Sequence, residues 1–150
     1  MAAPNKPVEL LVFTPIYARG EHIVGENATT GYHRQFVASD TFVGIALRTA
    51  LNVATANPLS AGGEIGNGAA GNISVPCATE GYFFWALAGG ITGLVGAVTE
   101  QGTTIYCSDG QTLTTSAGGN AKVGVVVRFS VALQGWVIRF KSGLLQAASI

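Results

Sequence analysis

Residues 102–140 read GTTIYCSDGQTLTTSAGGNAKVGVVVRFSVALQGWVIRF, four β-rich runs divided by Asp109-Gly110, Gly118-Gly119-Asn120 and Gln134-Gly135. Val, Ile, Thr, Tyr and Phe suit a pleated, half-buried surface, and the dividing residues are of the kind that supplies the positive φ of tight hairpin turns. The local pattern is therefore strand, turn, strand. Few ionisable side chains interrupt it, so the stretch fits a packed surface better than a reaction centre.

Composition points the same way. At 150 residues the chain fits one domain, long enough to bury roughly two thirds of the surface its unfolded form exposes. Only 11% of its residues are charged, and the 8 basic and 8 acidic side chains cancel; soluble domains average about 25% charged. Such a chain has little electrostatic means of holding a phosphate backbone or an anionic membrane, so neither nucleic acid nor membrane is expected as a partner. The 48% hydrophobic content leaves few polar side chains to coat a monomer, which predicts apolar surface hidden in an oligomer or against a partner. The N-terminus, MAAPNKPVELLVF, lacks a basic start followed by a long apolar core, so no export signal is read and the protein is expected to be made in the cytoplasm. Cys77 and Cys107 then read as free, buried thiols, and the sequons at Asn27 and Asn72 carry no message.

Outward from the opening stretch the chain stays β-rich with soft connectors. Residues 81–99, GYFFWALAGGITGLVGAVT, are 19 uncharged residues between Glu80 and Glu100, a length that would permit a membrane span. Five glycines and two acidic flanks favour two strands instead, at 82–88 and 94–98, joined by a turn at Gly89-Gly90. Further strands are expected near 8–13, 22–24, 34–38 and 43–47. Residues 52–72 are rich in Ala, Gly, Asn and Ser and read as a long loop. Residues 1–12 form an arm with an unpatterned, Pro-bearing start, and 13–150 form a single β-rich domain. The tail from 141 onward is a short closing helix or a second arm. A faint repeat matches Val43-Gly44-Ile45-Ala46-Leu47-Arg48 to Val123-Gly124-Val125-Val126-Val127-Arg128, with 78–82 parallel to 132–136 downstream, and implies two similar hairpins. The fold class is thus all-β: a compact sandwich or barrel-like domain of short antiparallel strands with an extended arm and one long Gly/Ala-rich loop.

Motifs for chemistry are scarce. Gly66-Asn67-Gly68-Ala69-Ala70-Gly71 satisfies a dinucleotide-binding pattern, but neither the strand nor the helix that pattern requires flanks it. His22 and His33 are the only imidazoles, too few for a three-histidine metal site. His33, Ser39 and Asp40 supply the residue types of a nucleophilic triad without its frame. Glu64, Glu80, Glu100 and Asp109 sit beside glycine or in turns, where carboxylates serve solubility and turn geometry. No enzyme, cofactor or metal is expected, and no acid is expected to converge with a second acid or an imidazole on a buried hollow. Trp85 and Trp136 lie in apolar runs, which points to core or subunit-interface burial rather than stacking on a sugar.

The order Phe42-Val43-Gly44-Ile45-Ala46-Leu47, then VPCATEG at 75–81, TTIYCSDG at 103–110, TLTT at 112–115, Gly119-Asn120 and Val123-Gly124-Val125-Val126 resembles the small capsid cement, or decoration, proteins of tailed bacteriophages. The resemblance covers roughly 42–140; the 52–72 insertion, the arm and the tail exceed it. It implies a β-rich homotrimer on the outer surface of the virion head that clamps neighbouring copies of the major capsid protein. Interface residues are then expected at Val8, Leu10, Val12 and Phe13 of the arm, where a β-prone run could add to a neighbour's sheet edge, and at Trp85 and Trp136. A second class, a carbohydrate-binding β-sandwich from a phage fibre or cell surface, requires at least one exposed Trp or Tyr. A third, a membrane-associated protein, would use residues 81–99.

Overall fold

The structure, a computed structural model, describes residues 6–7, 23–47, 50–51, 64–65 and 74–147. In chain order the strands are β1 (Lys6–Pro7), β2 (Ile23–Glu26), β3 (His33–Gln35), β4 (Thr41–Ala46), β5 (Ala50–Leu51), β6 (Glu64–Ile65), β7 (Ser74–Val75), β8 (Cys77–Ala78), β9 (Glu80–Ala86), β10 (Thr104–Asp109), β11 (Thr112–Thr114), β12 (Ala121–Ser130) and β13 (Gly135–Lys141); helix α1 spans Gly143–Ala147. A five-stranded sheet runs β11-β10-β12-β13-β9 and a four-stranded sheet runs β3-β2-β4-β8, with every neighbouring pair antiparallel. The architecture is an all-β sandwich, and among the described residues the sheets do not close into a barrel.

The four runs of the opening stretch are β10, β11, β12 and β13, and they make up all but one strand of the larger sheet. Alternation decides which side chains enter the core. Ile105 and Cys107 of β10, Val126 of β12, and Trp136, Ile138 and Phe140 of β13 turn inward to meet Ile23, Phe42 and Ile45 of the smaller sheet. Phe42 and Phe140 meet edge to face across the sandwich, their ring centroids 6.4 Å apart. Strand β4 is buried continuously from Phe42 to Ala46, so this strand is covered on both faces. The two layers share one strand path. Cys77–Ala78 pairs with β4, and after Thr79 the same chain enters the other sheet as β9 and pairs with β13. The Thr79 carbonyl at this crossing accepts the Ser142 amide at 2.6 Å.

Several expectations resolve differently. The dividing residues do not all supply positive φ: Gly119 does (φ 73°), but at the last turn it is Gln134 (φ 52°), and Gly110 and Gly135 do not. Those two glycines are required by close packing instead, since a Cβ would strike the Gln35 side chain at Gly110, and the Phe84 ring and Trp85 carbonyl at Gly135. Residues 94–98 form no strand; a 3-10 turn at Leu87–Gly89 ends β9, and irregular chain leads to a second at Val98–Glu100. The tail closes as helix α1, packed on β4 and β12, with Ser142 Oγ donating to the Phe42 carbonyl at 3.3 Å. Lys6–Pro7 pairs with Ser74–Val75. Val8, Leu10, Val12 and Phe13, the dinucleotide-like glycines and most of the 52–72 loop lie outside the described residues.

The repeat survives only in its first half. Gly44 and Gly124 both sit where a partner carbonyl crosses the strand, that of Ala78 in one case and that of Arg139 in the other. Downstream, 78–82 spans the crossing between sheets, whereas 132–136 spans a hairpin turn.

Candidate functional site

The end of the sandwich where β12 turns into β13 is built by side chains from far along the chain. The 131–134 turn lies beside the irregular 87–100 segment, because the Leu87 amide donates to the Gln134 carbonyl at 2.9 Å. Gly96 packs against Phe129 so closely that a Cβ there would lie 3.1 Å from the ring. Both indoles tie the segment down: Trp85 Nε1 donates to the Gly90 carbonyl at 2.9 Å and Trp136 Nε1 donates to Glu100 Oε2 at 2.8 Å. The Glu100 carboxylate also accepts backbone amides from Val95 at 2.7 Å, Ala97 at 3.0 Å and Gly96 at 3.2 Å. Desolvation pushes the pKa of this carboxyl up, but the bonds from Val95, Trp136, Ala97 and Gly96 outweigh it and hold the group below its ordinary value.

This framework presents hydrocarbon to solvent. Val95 is 83% exposed, Val98 and Val131 63% and Leu133 66%. No ionisable side chain occurs in 87–99 or 129–138, and the charge that follows, Glu100, is occupied by the framework. Exposed single aliphatics are ordinary; four on one end without an intervening charge form a patch of the kind that marks protein contacts. Beside it a cleft of about 320 Å³, lined by Leu87, Ile91, Leu94, Gln111 and Leu113 among others, contains no ionisable side chain.

The expected interface tryptophans do not contribute to that surface. Trp85 is 3% exposed and Trp136 fully buried, packed edge to face on Phe83 and Phe129 within the chain's own core. Of core and interface burial it is the core that holds them: strand alternation turns both inward, and their N–H groups hold the end loop from beneath. The apolar end itself was not read from the sequence. Its available signal was the absence of charge from two separated segments, which only the fold brings together.

Among the described candidates, His33 and Asp40 hold local structure. His33, 1% exposed, contacts Glu26 through Nε2 at 3.3 Å. Arg34, its neighbour on the opposite face of β3, grips Asp40 with Nε at 2.9 Å and a terminal nitrogen at 2.7 Å, and the Val37 amide adds a third bond at 3.2 Å. Ser39 is exposed. Of the triad residue types, His33 and Asp40 thus belong to separate pairs, and Ser39 is in neither. An acid does meet an imidazole at Glu26 and His33, but the pair lines neither the cleft at the apolar end nor a second cleft over β12 and β13. Gly25 is required beneath the Arg34–Asp40 pair, because a Cβ there would lie 2.6 Å from the Asp40 carboxylate. Cys77 and Cys107 are buried thiols not joined in a disulfide; desolvation pushes the Cys77 thiol up to about 12 and raises Cys107 as well. Among the described residues no three His, Cys, Asp or Glu side chains group as a metal site, and no helix is long and apolar enough to cross a membrane.

Comparison with protein-family models, with curated proteins and with solved structures finds no match to this chain.

Proposed function

We propose that this protein is a structural virion protein, a decoration protein that binds the outer surface of a phage head as a homotrimer and stabilises the lattice of the major capsid protein. The observation that carries this reading is the uncharged end bearing Val95, Val98, Val131 and Leu133, which offers contact area and no chemistry. The motif order described above supplies the particular class. Binding confined to the assembled lattice shifts the balance toward the intact shell by mass action, and many modest contacts repeated over a shell suffice. The test is the mass of the purified protein by sedimentation, followed by co-sedimentation with emptied, expanded phage heads. A trimer that pellets with heads is expected; a monomer that ignores heads and is retained on polysaccharide overturns the proposal.

One observation favours the carbohydrate-binding alternative: Tyr82, on the outer face of β9, is 66% exposed. Both tryptophans are unavailable for stacking, so among the described residues this reading rests on one broadly exposed ring. Glycan binding that is lost on Tyr82→Ala and needs no capsid would promote it.

A further inference from the structure

Strand alternation gives the larger sheet an outer face as well as a core face. Along the seam of β12 and β13 that face carries Lys122, Arg128, Arg139 and Lys141, all exposed and together half of the chain's 8 lysines and arginines. Register sets their spacing. Arg139 stands opposite Val125 and Arg128 opposite Val137, so the two arginines are diagonal neighbours, roughly 7–8 Å apart. A bulge in the β10 pairing brings Lys122 opposite Tyr106, on the same outward side. Lys141 faces Glu80, the single acid on β9, β12 and β13. Lys122, Arg128 and Arg139 make no ion pair among the described residues. A shallow cleft of about 280 Å³ opens between Lys122, Arg139 and Lys141, and the exposed Tyr82 stands opposite Arg139 on its other side. A formal charge of zero over the whole chain therefore conceals a one-sided basic face.

The composition of the face selects the partner. Proteins held by a phosphate backbone typically neutralise some six to ten phosphates, more than this seam can reach. A base-stacking platform needs several open rings, and among the described residues Tyr82 alone is broadly exposed. Arginine and tyrosine set among Val125 and Val137 instead match protein–protein contacts, where guanidinium groups meet carboxylates bidentately and aromatic rings supply area. We infer that the outer face of this sheet docks onto a carboxylate-rich protein surface, a second contact separate from the apolar end. This rests on the reading of the chain as an interface protein and names the chemistry of its partner.

The test uses the full chain on immobilised poly-L-glutamate at low ionic strength, with immobilised oligothymidylate in parallel. Retention on polyglutamate that weakens as salt rises is expected, together with a loss of about tenfold for Arg128→Ala/Arg139→Ala. The Arg128→Lys/Arg139→Lys variant should keep most of the binding. Absent retention, equal binding by the alanine variant, or tighter binding to oligothymidylate overturns the inference. Polyglutamate binding without head binding would remove the virion assignment and leave this face standing; heads bound equally well by the alanine variant would remove the face and leave the assignment.

Discussion

Glu100 collects the backbone of Val95, Gly96 and Ala97 and the indole of Trp136, a partner 36 residues away. Glu100→Ala would leave the N–H of a fully buried indole without its acceptor, so a loss of about 2 kcal/mol in urea unfolding is expected. Because the folded carboxyl titrates below its ordinary value of 4.5, the wild type's advantage over Glu100→Gln should be complete above that value. It should decline as pH falls further and vanish once pH has passed the lowered folded value. Urea titrations of the two proteins across acidic pH would show it. The buried thiols give a second residue-scale expectation: with Cys77 pushed up to about 12 and Cys107 raised too, neither should react with a thiol reagent at pH 8 until the protein unfolds. A buried thiol state, without a disulfide, was legible for both cysteines from their number and setting. The role of Glu100 was not, since a carboxylate beside glycine looks like a turn residue until the fold supplies its distant indole.

Strands β10 to β13 were legible for a physical reason, namely that alternating β-branched and aromatic residues between turn formers leave few other ways to bury the apolar set. The turns were legible in position and less so in mechanism: Gly110 and Gly135 serve Gln35 and Phe84, contacts made across the fold rather than along the chain. Residues 94–98 were misread as a strand because their apolar character reflects contact with Phe129 at one point and exposure at others, not a buried face. Gly124 gives the sharpest element-scale prediction. Any Cβ there would overlap the Arg139 carbonyl and crowd Phe140, so Gly124→Ala should break the β12–β13 ladder and destabilise by about 3 kcal/mol or more. Circular dichroism with urea titration measures this, and a stable, native-like Gly124→Ala protein would contradict the packing described.

Over the whole molecule, distribution matters more than totals. Composition indicated apolar surface in need of cover, and the fold gathers part of it at one end, while the cancelling charges leave a basic sheet face elsewhere. Neither surface was visible in the chain order, because the apolar end joins residues 95–98 to 131–133 and the basic face joins two strands through their register. Val131→Ser/Leu133→Ser removes hydrocarbon from side chains that are already exposed in the single chain, so the far-UV circular dichroism should hardly change while the sedimented mass of the proposed trimer falls toward the monomer. An unchanged mass would show that this end does not carry the proposed trimer contact. The strand that leaves one sheet at Thr79 and enters the other has a mechanical consequence: the two layers are sewn together by covalent backbone. A pull on either layer is carried along that thread into its opposite, so under stretching force the sandwich should give way in one rupture, with both halves yielding together rather than sliding apart.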